Sequence, residues 1–508
     1  FALGMGRAMV AQQLFYEIKT DYEKNLEGKV GEEERAPILE ELHARSAPKC
    51  LELAKRNGGI YNKAAQFVAS LQAGAGDRSI PKPYIDALKV VCDKAPFRPF
   101  EEMKQVLLED FETDDVKTIF RSVEEQPLAA ASLAQVHRAV TLDGRTVAVK
   151  IQYPGLLEQL SSDFAVFRMF GSQIKPGGFD LTWVVNDFEV ALSAELDFTG
   201  EAKNAERAAK DFSAREYVKV PEVVWDRTTK RVLTMEFVDD MVPTNDPKAL
   251  RQAGMDPFKV GTMLSDMFAE MVFCSGNVHG DPHAGNVYAR KDPETGSAQI
   301  VLLDHGLYHC VDDALRRDFC SFVSACVARD GKEMSRLGER FAGPLHRFFP
   351  LILSPWFVFG SKVRLEDIRA AKQKKIPPGV DLKQVGEFLV GLHDTGGNLL
   401  GVLHSMGYTR GILNNLGFPE RSRLKSFARF ADLGAKQPKG ADGESSVSPP
   451  APSWLPAARV DVLWLLILVL APVAFVVVTF GRKQLAMAVA STLALLVGFA
   501  YQRQIMAM

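Results

Sequence analysis

Val278-His279-Gly280-Asp281-Pro282-His283-Ala284-Gly285-Asn286 is the run from which the remainder of the chain becomes intelligible. Asp281 stands five residues before Asn286, and downstream the apolar run Gln299-Ile300-Val301-Leu302-Leu303 opens into Asp304-His305-Gly306. Phosphoryl transfer asks for this set of groups: a carboxylate to accept a hydroxyl proton, and an amide with a second carboxylate to hold magnesium. Asp281 is expected as the base, with Asn286 and Asp304 as the metal ligands. The turn-rich stretch Asp292-Pro293-Glu294-Thr295-Gly296-Ser297 reads as a hairpin tip between two strands and accounts for the spacing.

Such a site also needs a cation and a loop that approaches phosphates closely. Upstream, Leu128-Ala129-Ala130-Ala131-Ser132 leads through a strand and the turn at Leu142-Asp143-Gly144-Arg145 into Thr146-Val147-Ala148-Val149-Lys150-Ile151-Gln152. This is a strand, small-residue loop, strand, turn, strand pattern. Small side chains at Ala129, Ala130, Ala131 and Ser132 let backbone N–H groups reach phosphate, and Lys150 on the third strand is placed to neutralise it. A strand lysine is more commonly solvent-facing; its register with Asp281 and Asp304 argues for the catalytic reading. An acid on the next helix must pair with Lys150, and Glu201 is the choice, leaving Glu195 and Asp197 for another partner. The alternative for such carboxylates, capping and solubilising a helix, has weight for Glu206. Phe164 to Ile174 and Trp183 to Phe188 read as helices, and Val218 to Pro221 and Val232 to Asp239 as strands. The last is expected to run into a hinge between two lobes, where the backbone at Glu236 and Val238 meets the adenine edge.

The chain has 508 residues and a formal net charge of -2, with a pI near 6.6. That length calls for two or more units, and the charge argues against nucleic acid as a partner. Six cysteines carry no Cys-x-x-Cys pair and read as reduced core thiols. Histidines 305, 309, 393 and 404 share no zinc spacing, so no metal beyond magnesium is assigned.

Residues 1–125 read as a helical extension, with breaks at Asn57-Gly58-Gly59 and Ile80-Pro81-Lys82-Pro83, and helices from Tyr84 to Cys92 and Phe100 to Phe111. Lys63 and Gln66 interrupt the apolar helix that begins at Ile60, on one face, which periodicity alone reads as the solvated face of an amphipathic helix. Residues 126–240 are expected as an N-lobe and 241–433 as a helical C-lobe with breaks at Gly343-Pro344, Pro350 and Pro377-Pro378-Gly379. Residues 434–457 form a Pro/Gly/Ser-rich linker. Within 458–503, Val460 to Phe480 is long enough to cross a bilayer at ~1.5 Å per helical residue. The tight turn Gly481-Arg482-Lys483-Gln484 then leads into a second, small-residue span, Leu485 to Tyr501. The fold class expected is α+β, a bilobal protein-kinase-like fold with an N-terminal helical extension and a C-terminal transmembrane helical hairpin.

Taken together, Lys63-Ala64-Ala65-Gln66, Ala129 to Ser132, Lys150, Glu195-Leu196-Asp197, His279 to Asn286 and Asp304-His305-Gly306 resemble the UbiB / aarF-domain-containing (ADCK) atypical kinases, and the phrases Arg231 to Asp239 and Ile300 to Tyr308 resemble most the subgroup typified by aarF-domain-containing kinase 1. The resemblance implies that the alanine-rich loop replaces a glycine-rich one, and that the helix bearing Lys63 and Gln66 folds over the active site towards Glu195 and Asp197, obstructing protein substrates. It implies ATP or ADP with Mg2+ as ligands, and a kinase or ATPase acting on a lipid or isoprenoid-quinone substrate in coenzyme Q biosynthesis or mitochondrial lipid homeostasis. It also implies a mitochondrial inner membrane location, with a plastid membrane as the alternative. The partners expected are the bilayer, through the hairpin, and a membrane protein complex. The rival is a catalytically weak, pseudokinase-like structural subunit of such a complex. Two positions depart from the family pattern: Ala65 stands where the family has Gly, and Ala284 where it has Pro.

Overall fold

The structure is a computed structural model that describes residues 2–29, 31–70, 81–88, 97–131, 133–156, 163–164, 167–168, 189, 192–193, 195–354, 357 and 399–437. Contacts divide the chain into two units, Phe1–Gly443 and Glu444–Met508. All that follows belongs to the first. The hairpin expected over 458–503 and most of the linker lie outside the described residues. Among the described residues no helix is long and apolar enough to cross a membrane.

The extension consists of α1 (Ala2–Leu26), α2 (Glu32–Asn57), α3 (Gly59–Ser70) and α4 (Lys82–Leu88). Gly58 and Gly59 separate α2 from α3 with φ of +61° and +47°, a left-handed conformation that side chains oppose. The helix expected from Tyr84 begins two residues earlier, and residues 89–96 lie outside the described residues.

The first lobe is built on a five-stranded antiparallel sheet. Its strands are β1 (Phe120–Val123), β2 (Ala129–Ala130), β3 (Ala134–Thr141), β4 (Thr146–Gln152) and, further along the chain, β6 (Val232–Glu236), in the order β1-β3-β4-β6 with β2 also on β3. The sheet therefore starts ahead of the boundary expected at residue 126, because the four residues of β1 are too few to show an alternating pattern. In β4, Val147, Val149 and Ile151 are buried on one face, packed with Met103, Val106 and Leu107 of α5 (Phe100–Asp110). Since side chains alternate along a strand, Lys150 is turned to the opposite face. Helix α6 (Phe198–Asp211) buries Phe198, Glu201, Ala202, Ala205 and Ala208, a stripe in which Glu201 is the one acid.

The second lobe has its own core. Its four-stranded sheet runs β5-β10-β9-β7, from β5 (Val218–Lys219), β7 (Val242–Pro243), β9 (Val287–Lys291) and β10 (Ala298–Leu302). Strand β5 pairs parallel with β10, so this segment belongs to the second lobe's sheet and not to the first's. The two-stranded β8 (Asn277–His279) and β11 (Tyr308–Cys310) flank the motifs at Asp281 and Asp304. Helices α7 (Pro247–Gln252), α8 (Pro257–Glu270), α9 (Asp313–Ala328), α10 (Gly331–Ala342), α11 (Phe349–Leu353), α12 (Leu399–Asn415) and α13 (Glu420–Lys436) surround them. Pro350, expected as a break, sits instead in the first turn of α11, where its missing N–H costs nothing. The Pro377 to Gly379 break lies outside the described residues, as does most of the span from Phe164 to Phe188. Cys310, expected in the core, is exposed.

The C-terminal end of α13 is fastened to the core. Buried Arg316 donates from Nη1 to the carbonyls of Phe273 (2.7 Å) and Gly434 (3.2 Å), and Arg317 donates to that of Gln437 (2.8 Å). A Cβ at Gly434 would overlap the Phe273 carbonyl oxygen.

Candidate active site

Lys150 is the centre of the site. Its Nζ donates to Glu201 Oε1 and Oε2 at 2.8 and 2.9 Å and to Asp304 Oδ2 at 3.3 Å. Glu201 is 2 % exposed and Lys150 14 %, so the pair is dry enough for charge to matter. Burial lifts the Glu201 carboxyl to about 7 against the pull of Lys150. Burial also opposes the charge on Lys150, but Asp304 and Glu201 outweigh it and keep the ammonium protonated. Asp304 is itself held below the usual carboxylate range, since Lys150 and the Gly306 N–H (3.0 Å to Oδ1) overcome its burial.

Each of these groups has an element that fixes it. The α6 amide of Asn204 donates to the His305 carbonyl at 3.0 Å, tying the helix that carries Glu201 to the turn that carries Asp304. Buried His305 is stacked on Tyr308 with Nδ1 2.9 Å from its hydroxyl; burial depresses its imidazolium to about 3. Asn286 faces Leu303 through a 3.0 Å bond from the Leu303 N–H to its carbonyl, which places it one residue from Asp304 across the β9–β10 ladder.

The Asp281 backbone is hydrogen-bonded at both its carbonyl and its N–H. The Asn286 Nδ2 donates to the Asp281 carbonyl at 3.0 Å, as does the His283 N–H at 2.9 Å. The Asp281 N–H donates to His279 Nδ1 at 3.2 Å, while His279 Nε2 donates to the Asp304 carbonyl at 2.5 Å. His279 thus joins the two motifs as a neutral imidazole, its charge opposed by burial. Sequence reasoning gave His279 no role of its own, although its place two residues before Asp281 was the available signal. His283 accepts the Gly285 N–H at Nδ1 (2.9 Å), which leaves the ring proton on Nε2, 3.8 Å from Asp281 Oδ2. A Cβ at Gly280 would lie 2.5 Å from Leu307, so the loop's approach to the Asp304 turn requires glycine there.

Over this cleft lies α3. Ile60 is buried in the first lobe's core, and Lys63 Nζ lies 2.8 Å from Glu195 Oε2. Burial works against the Lys63 charge, but Glu195, Asp281 and Asp304 all sustain it. Asp197 does not take the role expected beside Glu195. It is the N-cap of α6, accepting the Thr199 N–H at 3.0 Å and the Thr199 hydroxyl at 2.6 Å, because a helix start leaves N–H groups without partners. The Gln66 side chain lies outside the described residues. Ala65 packs with Ala54 of α2 and Leu88 of α4, so its methyl is taken up within the extension.

At the remaining positions, Ala129 and Ala130 form β2, and the Ala131 N–H closes onto the Ala134 carbonyl at 2.8 Å. Ser132 lies outside the described residues. The Glu236 N–H is committed to the Glu222 carbonyl at 2.8 Å and its carboxylate to Lys219 at 2.6 Å. The Val238 N–H has no hydrogen-bond acceptor among the described residues.

Counted as charges, two ammonium groups, Lys63 and Lys150, face four carboxylates, Glu195, Glu201, Asp281 and Asp304. Burial holds back the ionisation of Glu201 and Glu195, so the net excess is smaller than two negative charges; Asp304, ionised and 40 % exposed, is the carboxylate suited to a divalent cation bound by oxygen donors.

The family model of the ABC1 atypical kinase-like domain matches residues 90–338. The chain is 39 % identical to AarF domain-containing protein kinase 1 of Gallus gallus over 328 residues, 64 % of this chain and 62 % of that protein. It is 33 % identical to AarF domain-containing kinase 1 of Drosophila melanogaster over 365 residues, 70 % of this chain and 69 % of that one. It thus spans about three fifths of the length of the chicken relative. Among solved structures, the Rv3197-erythromycin complex from Mycobacterium tuberculosis matches 78 % of this chain and 99 % of its own, at 21 % identity and a TM-score of 0.44.

Proposed function

This chain belongs to the ABC1 atypical kinase-like family, with the AarF domain-containing kinases, and from that premise we propose that it is a membrane-anchored, ATP-dependent atypical kinase or ATPase. Its substrate is a lipid or isoprenoid quinone, in coenzyme Q biosynthesis or mitochondrial lipid homeostasis, at the mitochondrial inner membrane. The observation that carries the catalytic part is the placement of Lys150 between Glu201 and Asp304, with Asp281 and Asn286 on the adjoining loop.

In this reading Lys150, oriented by Glu201, receives the α and β phosphates, and the backbone around Ala129 to Ala131 lies along them. Backbone groups at Glu236 and Val238 take the adenine edge. Asp304 and Asn286 would hold Mg2+, which supplies neutralisation of charge developing on the phosphoryl oxygens. Asp281 accepts the proton of the attacking hydroxyl, and its backbone, pinned by His279 and Asn286, fixes the direction of that oxygen. Lys63, paired with Glu195, keeps α3 over the groove where a peptide would otherwise lie, which supports a small or lipid acceptor. The apolar spans of 458–503 support the anchor.

The test is Mg2+-dependent ATP turnover by the full chain, with and without cardiolipin-containing liposomes, compared with Asp281→Asn. Turnover that the substitution abolishes is expected. If Asp281→Asn restores function fully in a knockout, the enzymatic reading fails and the structural-subunit reading replaces it.

A further inference from the structure

The catalytic loop is gripped from behind by an element that lies outside the matched domain. The family match ends at residue 338, whereas α12 begins at Leu399. The buried Ser405 hydroxyl of α12 lies 3.1 Å from the Gly280 carbonyl oxygen and 2.9 Å from that of Gly401. A hydroxyl has one proton to give. Gly401 sits within α12, where the helix ladder supplies its carbonyl with a donor four residues on. The Gly280 carbonyl is buried, and Ser405 is its one hydrogen-bond donor among the described residues. A buried carbonyl left without a donor is costly, so the proton serves Gly280.

The peptide groups on either side of Gly280 are then closed in turn. The Gly280 N–H donates to Leu307 at 2.8 Å, on the Asp304 side. Its carbonyl takes Ser405, on the α12 side, and the next N–H, that of Asp281, takes His279. Two further contacts keep α12 against the loop. Gly401 lies so close to the His309 ring that a Cβ there would overlap it, and the Tyr408 ring meets His283 edge-on at 6.4 Å. The helix therefore touches the residue before Asp281 and the ring that faces its carboxylate.

We propose that Ser405 is a positioning residue for Asp281, acting through the Gly280 carbonyl, and that α12 is an integral part of the active site. This rests on the reading of Asp281 as the base, but its first readout does not. In Ser405→Ala, amide hydrogen exchange in the segment 278–286 becomes severalfold faster, while the Ser405→Thr chain, which keeps the hydroxyl, stays near wild type. In ATP turnover the alanine variant loses about tenfold in kcat, the effect of one unmade hydrogen bond to a buried carbonyl. Its KM for ATP and its thermal shift with MgADP stay within about twofold of wild type.

Unchanged exchange in Ser405→Ala overturns the proposal. So does a fall in kcat matched by an equal loss of MgADP binding and of Tm, since that is the signature of a merely structural helix. If the wild-type chain does not turn over ATP, the functional reading fails, and the exchange comparison still decides whether Ser405 clamps the loop.

Discussion

The Lys63 ammonium meets the Glu195 carboxylate at 2.8 Å across the mouth of the cleft, each side chain about a fifth exposed. Asp281 and Asp304 act on the same ammonium, so α3 is held over the cleft by carboxylates that belong to the cluster around Lys150. In the reading proposed above, this one lysine would couple nucleotide use to the position of the helix.

Lys63→Ala leaves Glu195 partly buried with no cation beside it, at a cost on the order of 1–3 kcal/mol. The expected outcome is a lower Tm together with an altered ATP turnover. Lys63→Arg, which retains the charge, changes both less. Calorimetry and a steady-state ATPase assay on the same preparations check this. A Tm and a rate that both stay at wild type for Lys63→Ala would remove the bridge from any role.

Glu201 gives a pH dependence whose sign can be worked out. Burial raises its carboxyl from 4.5 to about 7 despite Lys150. Between those values the folded chain keeps a proton that the unfolded chain has released. The stability this group contributes is thus fully present below about pH 4.5 and lost as pH rises through about 7. Activity runs the other way, because Glu201 must ionise to orient Lys150. In the nucleotide-free protein, Tm should fall more steeply between about pH 5 and 7.5 in wild type than in Glu201→Gln, while wild-type turnover climbs over the same range. Parallel Tm curves for the two proteins would contradict the assignment.

Asp304→Asn keeps an oxygen for the Gly306 N–H but removes the charge opposite Lys150. The fold should survive, since Lys150 retains Glu201. What should go is the magnesium-dependent part of the thermal shift produced by ADP. Titrating ADP with and without Mg2+ separates the two, and an undiminished magnesium effect would take Asp304 out of the metal site.

The anchor can be tested without activity. Helix α13 ends at Lys436, so a chain stopped there keeps both described lobes. It is expected to leave membranes in alkaline carbonate, whereas the full chain stays. Equal extraction of the two would dismiss residues 458–503 as the anchor.

The residues that meet at Lys150 were legible in the sequence because their chemistry restricts them: a lysine in a buried strand, an acid in a buried helical stripe, an aspartate closing an apolar run. Asp197 was not, because an N-cap and an ion-pair partner are the same residue type, and Thr199 two positions on was the clue to the cap. Strand β5 was readable as a strand but not in its allegiance, since its parallel pairing to Ile300 and Val301 is a long-range fact. Ser405 was invisible for the same reason. Its partner Gly280 is 125 positions away, and nothing in a helical Ser distinguishes one that bonds only within its helix from one that reaches out of it.

The fastening of α13 by Arg316 also gives the chain a path for mechanical load. A pull on the segment after residue 437 is taken first by Arg316 and Arg317 and by the close seat of Gly434 on Phe273. Phe273 lies in the π-helical turn Met271–Ser275, four positions ahead of Asn277, the first residue of β8, whose last residue is His279. Tension arriving from the C-terminal side would run through Gly276 and β8 to the backbone of Asp281, eight positions after Phe273.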